Sequence, residues 1–365
     1  MVRLTRAQQQ ARTRAAVLAA ARAEFVEYGY GAAKVDRIAE RAELTRGAVY
    51  SNFPGKRALY LAVLVDLVEQ ADTPHAAEEP GSAGEALGTF ARVWLDRLPL
   101  VDDPAAGGRL QLRSLTGVIE DETGRVVLAQ TARLEALLLA LTLESCAPED
   151  PPARRVRLAE LALTLLGGSS LIAEQAPGFG DPFDRARACE HLASLDLTDV
   201  WAPAHLPYVT PATRVREPWA PPADVRDPLT ADMVDLASDG VVVVLGGGRL
   251  EAAEEAVRSA RPGEQVTIVV VTGDAANIGQ LIRLRVGDLV ACLRQVSPSP
   301  LPEHLHLVFD DDGRVAAAVG LSEVGDSTEA AVRVREKAVV ARAQGRGAAY
   351  AVAKPEAART EGATT

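Results

Sequence analysis

Residues 35–53 read VDRIAERAELTRGAVYSNF, and the spacing of apolar positions in this stretch decides the fold of the N-terminal part of the chain. Apolar residues recur at helical spacing over 35–39, which predicts a short helix. Residues 42–45 interrupt the pattern, and the Thr45 hydroxyl is placed to cap a further helix, Arg46–Asn52. Two helices joined by a turn of about three to four residues form a helix-turn-helix, whose second helix lies in the major groove of DNA.

A longer helix is predicted before this pair. Apolar residues recur at helical spacing from Ala11 to Gly29, and Gly29 is placed to end the helix. Arg3 and Arg6 precede it. They form either an arm that reaches DNA or a tail without fixed structure.

The charge of the chain is distributed unevenly. Residues 1–60 carry eleven basic and five acidic side chains, a local charge of +6, although the whole chain carries −11. A basic segment on an acidic protein is typical of a module that binds a polyanion. The alternative is a basic face that is merely solvated.

The order and spacing of residues over about 11–60 resemble a known family. Phe25-x-x-x-Gly29-Tyr30, then Val35-Asp36-x-Ile38-Ala39-x-x-Ala42, then the run from Thr45 through Lys56 to Leu59 look like the DNA-binding domain of TetR transcriptional regulators. The family usually has Gly where Glu43 stands, and a positive φ there costs Glu about 1 kcal/mol. It usually has His where Asn52 stands, and Asn can also donate to a phosphate.

The resemblance and the chemistry of the side chains predict a set of DNA-binding residues. Arg46 can form a bidentate contact to guanine, and Ala48 can touch a thymine methyl. Tyr50, Asn52 and Lys56 are placed to hold phosphates, with the Tyr50 ring packed inside; the alternative makes Tyr50 a plain core aromatic, as we expect for Phe53. The full predicted set is Lys34, Arg37, Thr45, Arg46, Gly47, Ala48, Tyr50, Ser51, Asn52 and Lys56.

An all-α body is predicted after this domain. A helix begins near Lys56, and helical periodicity continues through Ala86–Leu98, Leu110–Ile119, Val126–Leu143, Arg154–Ala176 and Pro182–Leu195. The resemblance implies that the last two of these helices form a four-helix interface in a homodimer. The predicted interface residues are Leu161, Leu165, Gly168, Leu171 and Ile172. The alternative is a helix buried inside one subunit.

No set of residues in the body identifies a small-molecule effector, although the resemblance implies that one is sensed. Five polar or aromatic side chains are candidates for lining a cavity, each of which is also an ordinary surface or packing residue: Trp94, Arg109, Gln111, Arg113 and Gln130.

The composition changes after residue 202. Seven prolines between Pro203 and Pro228 predict a semi-rigid linker. Buried strands are predicted at Val241–Leu245 and Val266–Val271 with an amphipathic helix, Arg249–Ala260, between them. A third strand at His304–Asp310, a turn, a helix over 314–320 and a hairpin turning at 336–337 complete an α/β domain.

This order of elements resembles a thioredoxin- or peroxiredoxin-like domain over about residues 235–353. Such enzymes place a nucleophilic Cys after the first strand, where this chain has Gly246-Gly247-Gly248-Arg249. Without a thiol there, the redox reaction cannot run. The alternative interpretation, a phosphate-binding turn at the three glycines, lacks a third motif glycine at Glu251 and faces acidic residues. We expect a protein-interaction or dimer-extending role for this part.

Several function classes are excluded by the remaining residues. Cys146, Cys189 and Cys292 are far apart and form no metal-binding or disulfide pattern, and the five His are scattered. We therefore predict no catalytic residue, no metal and no cofactor. Cys292 is expected to pack as a small hydrophobe. The N-terminus has no apolar core, and no stretch suits a membrane span, which predicts a cytoplasmic protein without a membrane partner.

The sequence thus predicts a multidomain fold, an all-α TetR-type regulator followed by an α/β thioredoxin-like domain. The expected division is 1–60 for DNA binding, 61–202 for ligand sensing and dimerisation, 203–234 as linker, 235–353 as the α/β domain and 354–365 as a disordered tail. The predicted function is a ligand-responsive repressor that binds double-stranded operator DNA as a homodimer. The alternative is a regulator fused to a thiol-redox or peroxide-sensing enzyme.

Overall fold

The computed structural model describes residues 5–71, 76, 78–97, 115, 117–146, 153–176 and 178–354. The chain divides into two compact units. The first consists of residues 1–200 and 274–302, and the second of residues 201–273 and 303–365. Arg3 of the expected arm and residues 355–365 of the expected tail lie outside the described residues.

The first unit begins with four helices: α1 (Arg6–Ala32), α2 (Val35–Arg41), α3 (Arg46–Asn52) and α4 (Lys56–Gln70). Helix α1 starts earlier than predicted, because Thr5 and Gln8 cap it reciprocally through side chain and backbone. Gly29 has a φ of 69° and breaks the helical geometry there, as predicted.

Four further helices follow: α5 (Ala83–Asp96), α6 (Glu122–Cys146), α7 (Val156–Gln175) and α8 (Pro182–Leu192). They correspond to four of the predicted body segments, while residues 110–114 and 116 of the predicted Leu110–Ile119 helix lie outside the described residues. Ser82 caps α5 and Asp181 caps α8 through their side chains. Trp94 and Gln130 are buried in this body, whereas Arg109, Gln111 and Arg113 are not among the described residues.

The remainder of the chain supplies helices α9 (Ala252–Ser259), α10 (Gln280–Leu293), α11 (Arg314–Val319) and α12 (Ala348–Ala353). Its strands are β1 (Thr213–Pro218), β2 (Gly240–Gly246), β3 (Gln265–Val271), β4 (Leu305–Phe309), β5 (Glu329–Arg335) and β6 (Ala338–Gln344). The predicted strands and hairpin are all present. Glu336 and Lys337 have φ of 48° and 59°, as a two-residue type I′ turn requires.

The second unit is built on one six-stranded sheet with the order β1-β6-β5-β2-β3-β4. Strands β2, β3 and β4 run parallel, and β5 and β6 are antiparallel to their neighbours. On one face, valines of the central strands form a core with Val315 and Val319 of α11 and with Trp219. Helices α9 and α12 pack against each other and against the sheet. Both faces of β2 are therefore buried, which explains its unbroken apolar run.

The structure differs from the predicted linker. Thr213–Pro218 is not a spacer but the edge strand β1, which pairs antiparallel with β6. Proline is tolerated there because an edge strand needs only half of its backbone hydrogen bonds. The Trp219 indole N–H donates to the Leu236 carbonyl at 2.7 Å, which fixes the chain after this strand.

The structure also differs from the predicted single domain over 235–353. Helix α10 belongs to the first unit, where it contacts α4, α5 and α6. The Arg285 Nη2 atom lies 2.9 Å from the Glu135 carboxylate on α6, and Arg97 lies 3.1 Å from Asp288. The apolar pattern of α10 predicts that the helix is buried. The same pattern fits burial in the first unit or in the second, so the sequence could not show which unit contains α10.

Two helices among the described residues, α6 and α7, are long and apolar enough to cross a membrane by length and composition. A buried core helix of a folded domain meets the same two criteria. The apolar window of α6 is 72% buried as the central helix of the body. The corresponding window of α7 is 39% buried, so this helix has an exposed apolar face.

Candidate nucleic-acid interface

Helices α1 to α4 form the scaffold that positions α3. The Phe25 ring is fully buried and lies 4.9 Å from the Tyr60 ring and 6.4 Å from the Tyr30 ring, centroid to centroid. Ile38 of α2 and Val49 of α3 are also buried. The Phe25–Tyr60 contact joins α1 to α4, and the burial of Ile38 and Val49 leaves the opposite face of α3 exposed.

The turn between α2 and α3 has the predicted geometry. Glu43 has a φ of 55°, the left-handed conformation expected at this position. The Thr45 hydroxyl accepts a hydrogen bond from the Ala48 N–H at 3.2 Å, which confirms the predicted cap of α3. The turn therefore fixes the start of α3, and Thr45, Arg46 and Gly47 are exposed there.

The predicted contact residues of α3 lie mostly on its exposed face. Thr45, Arg46, Gly47, Tyr50 and Ser51 are exposed, while Ala48 and Asn52 are half-buried. Phe53 is buried, as expected for a core aromatic. One side of a short helix thus presents a cation, two hydroxyls and a phenol beside a glycine that leaves room for a close neighbour.

Arg46 and Tyr50 lie together on this face. The Arg46 guanidinium lies 5.4 Å from the centre of the Tyr50 ring and 3.3 Å from the Asp36 carboxylate of α2. The expectation that the Tyr50 ring packs inside is wrong, since 39% of the residue is exposed. The helix start faces solvent, so the ring covers Arg46 instead of entering the core.

Ser51 and Asn52 bond to their own helix. The Ser51 hydroxyl and the Asn52 Nδ2 atom both donate to the Ala48 carbonyl at 2.9 Å. Arg14 of α1 reinforces this end of α3, because its guanidinium lies 4.4 Å from the Phe53 ring centre. The helical pattern of α1 gave no signal for that contact.

Lys56 has a structural role that the sequence did not reveal. Its ammonium group donates to the carbonyls of Gly31 and Ala33 at 3.1 and 3.3 Å, and it lies 4.7 Å from the Tyr30 ring centre. These carbonyls end α1, where a cation is favourable. Burial lowers the pKa of the Lys56 ammonium.

Arg37 points inward rather than to the α3 face. Its guanidinium pairs at 2.5 Å with the carboxylate of Glu24, which is fully buried, and covers the Tyr28 ring at 4.0 Å. Arg41 also pairs with Glu24, at 3.3 Å. Lys34 is exposed at the start of α2. Glu24 stands on an otherwise apolar face of α1, and this position could have predicted a buried ion pair.

A second surface of the first unit is apolar. Leu161, Leu165, Leu171 and Ile172 of α7 are each 37–44% exposed. Nothing lies within 4 Å of the position that a Cβ of Gly168 would take. All five predicted interface residues therefore share one exposed face of α7.

The glycines after β2 have a structural explanation. A Cβ on Gly246 would lie 2.3 Å from the Gly325 carbonyl oxygen, so the two backbone segments require glycine there. The N–H groups of Gly246, Gly247 and Gly248 donate to the carbonyls of Thr328, Val271 and Asp326. A phosphate-binding turn needs such N–H groups to be free, so the structure argues against that alternative.

The cysteines are buried or half-buried. Burial raises the pKa of Cys146 and of Cys189 to about 11, which disfavours the reactive thiolate. Cys292 of α10 is fully buried, as expected, and its sulfur lies 3.5 Å from the Arg97 guanidinium. Among the described residues, no group of His, Cys, Asp and Glu could hold a metal ion.

The N-terminal part of the chain matches a known protein family. Residues 17–63 match the profile of bacterial regulatory proteins of the tetR family. A TetR transcriptional regulator from Rhodococcus sp. RHA1 is 19% identical, with a TM-score of 0.33, covering 52% of this chain and 99% of that one. NalD, the secondary repressor of the MexAB-OprM multidrug efflux pump in Pseudomonas aeruginosa, is 20% identical, with a TM-score of 0.32, covering 51% and 94%. None of the curated proteins matches the chain.

Proposed function

Because the N-terminal part of this chain belongs to the tetR family of bacterial regulatory proteins, we propose that the protein is a ligand-responsive repressor that binds a palindromic operator as a homodimer. The observation that carries the proposal is the exposed face of α3, whose first turn is capped by the Thr45 hydroxyl. A helix of this kind reads base edges from the major groove. A cytoplasmic location without a membrane partner belongs to the same proposal.

Arg46 is the proposed base reader. Its guanidinium can bond two acceptors of a guanine at once, and in the free protein it bonds Asp36 and Tyr50 only loosely. Thr45, Ala48 and Ser51 lie close enough along α3 to contact the neighbouring base edges. Gly47 leaves room for the DNA backbone.

Phosphate contacts are proposed for Lys34, Tyr50, Asn52 and Lys56. A lysine ammonium has three donors, and Lys56 uses two of them on the end of α1, so one remains for a phosphate. Arg37 contributes through its charge and by holding α2 on α1, since its donors already bond Glu24.

The dimer is proposed to form through α7, with α8 beside it. Leu161, Leu165, Leu171 and Ile172 lie on one exposed face of α7, and contiguous exposed apolar residues mark interaction surfaces. Gly168 in the middle of this face allows two helix backbones to approach. A two-fold dimer places its two α3 helices on half-sites about one turn of DNA apart.

The second unit is proposed to have a thioredoxin-like fold without thiol chemistry. Its parallel β2 and β3 with α9 between them, and its antiparallel β5–β6 hairpin, support this proposal. Arg249 stands at the end of β2, where its guanidinium bonds the buried Glu329 at 2.6 Å, and no thiol lies in that turn. Full-length protein should therefore consume no peroxide.

The DNA assignment is tested by two substitutions with different expected signatures. Arg46→Ala should relax specificity at one base pair per half-site, a cost of about 1–3 kcal/mol. Lys56→Ala should weaken binding about equally on all sequences and lower the slope of log affinity against log salt by roughly 1, because one phosphate contact is lost. Electrophoretic shifts at several salt concentrations separate the two effects.

Arg92→Ala is the matched control, because Arg92 is an exposed arginine of α5, a helix that packs against α6, α7, α8 and α10. Since Lys56 also holds the end of α1, circular dichroism must show that Lys56→Ala remains folded. Unchanged DNA binding in both Arg46→Ala and Lys56→Ala would refute α3 as the DNA reader.

A further inference from the structure

The second unit contains a cavity of about 820 Å³, bounded by β1, the β5–β6 hairpin, α12 and the chain before β1. Its size falls within the range of pockets for small molecules, roughly 300–1,000 Å³. Part of its wall is apolar, formed by Leu206, Val209, Val215, Val340 and Val352. The cavity therefore suits a ligand that has an apolar portion.

The rest of the wall is strongly cationic. Five basic side chains line the cavity: Arg214, Arg261, Arg333, Arg335 and Lys354. No carboxylate lines it among residues that the structure describes. In a chain with a net charge of −11, five cations around one cavity are a marked local excess.

The charges of Arg333 and Arg335 are only partly balanced by carboxylates. Arg333 and Arg335 share the single carboxylate of Glu264, and Arg335 has a second, longer pair with Asp239 at 3.8 Å. Arg333 is fixed from behind, since its Nη2 atom donates to the carbonyls of Val352 and Ala353 at 2.8 and 2.9 Å.

The excess of positive charge affects the pKa of Arg333. Its pKa is lowered by burial and by the neighbouring charges of Arg335 and Arg261, although Glu264 acts in the opposite direction. An anion in the cavity would reduce this repulsion. Arg261 is exposed, and no hydrogen bond or ion pair holds its guanidinium within the described part of the chain.

We propose that this cavity binds a small amphipathic anion, an organic carboxylate or phosphate monoester with an aliphatic tail. Arg261, Arg335 and Lys354 hold the anionic head, for which the planar guanidinium provides paired donors. Val209, Val215 and Val340 contact the tail. The site is separate from α3, and the proposal does not depend on the binding of operator DNA.

Isothermal titration of the full-length protein with octanoate and with octyl phosphate tests the site. Both anions should bind, and octanol and octylammonium should bind at least tenfold more weakly, because they lack the negative charge. Inorganic phosphate should also bind at least tenfold more weakly than octyl phosphate, since it has no tail to bury. The two anions together show which head group is preferred.

Arg261→Gln should weaken the binding of octanoate and octyl phosphate about tenfold or more, the loss expected for one charge-assisted hydrogen bond. Arg346→Gln is the matched control, because Arg346 is an exposed arginine of the same unit that does not line the cavity. Circular dichroism shows whether both variants are folded. Equal binding of octylammonium or octanol, no binding of either anion, or unchanged affinity in folded Arg261→Gln would overturn the proposal.

Discussion

At the scale of single residues, two positions explain how the DNA-binding part tolerates unusual side chains. Glu43 adopts a φ of 55° without glycine, because the turn between α2 and α3 is fixed by the Leu44 N–H bonding the Ala39 carbonyl at 2.9 Å. Glu24 is fully buried, yet it is paired with Arg37 and Arg41 and accepts the Lys34 N–H. A buried carboxylate is stable only with such partners.

The Glu24 cluster predicts a pH dependence of stability. Burial acts to raise the pKa of Glu24, but the Arg37 hydrogen bond, the Lys34 N–H and the two guanidinium charges outweigh it and hold the pKa below its usual value. The stabilisation is therefore present above the unfolded pKa of about 4.3 and is lost as the pH falls through the folded pKa.

Glu24→Gln should lower the free energy of unfolding at pH 7 by about 2 kcal/mol, because charge-assisted hydrogen bonds are lost. The difference from the unsubstituted protein should shrink below about pH 4, where Glu24 itself is protonated. Urea unfolding at several pH values measures this. Glu27→Gln, at an exposed partner of Arg41, is the control and should have little effect. A difference that stays constant with pH would contradict the assignment.

At the scale of elements, α7 has an apolar face that the rest of its unit does not cover. Leu158, Ala162 and Leu166 are buried against the body. The apolar residues on the other side of the helix are exposed, namely Leu161, Leu165, Leu171 and Ile172. The apolar surface therefore extends round most of the helix. A helix with this pattern requires a partner on its second face.

Gly168→Arg should convert the proposed dimer into monomers, because a bulky cation would stand where two backbones approach. Operator affinity should fall with it, since two half-sites require a two-fold dimer. Light scattering gives the molar mass. Thr123→Arg, at an exposed position of α6, is the control. An intact dimer in Gly168→Arg would place the interface elsewhere.

At the scale of the whole molecule, the position of α10 decides how the chain can be divided. This helix lies between β3 and β4 along the chain, but its buried residues, such as Leu284 and Leu289, belong to the core of the first unit. A truncation after Val200 removes α10 and leaves Glu135 without Arg285. We therefore expect such a truncation to be unstable.

Arg285→Met tests this role in the full-length chain. It should lower the free energy of unfolding by about 3–5 kcal/mol, because the buried Glu135 carboxylate loses its 2.9 Å ion pair with Arg285. Adding Glu135→Leu should restore most of the loss, since two apolar side chains replace the pair. Thermal unfolding of both variants measures the coupling. Equal losses in the single and double variants would show that the pair is not what holds α10.

The sequence by itself determined the elements and the face of α3. Periodicity placed α2, α3, α7 and the strands β2 to β6, because local patterns of apolar residues follow the period of each structure. The Thr45 cap and the burial of Phe53 followed from local chemistry, whereas the positive φ at Glu43 was expected from the resemblance to TetR regulators. The absence of a thiol after β2 could also be read from the sequence, because it depends only on which residues stand at 246–249.

Only the tertiary structure decided contacts between residues distant in the chain. Lys56 and Arg37 carry the charge expected of DNA contacts, but the carbonyls ending α1 and the buried Glu24 come close to them only after folding. The edge strand β1 was hidden by its prolines, because pairing with β6 is a long-range event. The partner of α10 and the cationic cavity depend on side chains from separate segments, and no local pattern specifies which of them meet.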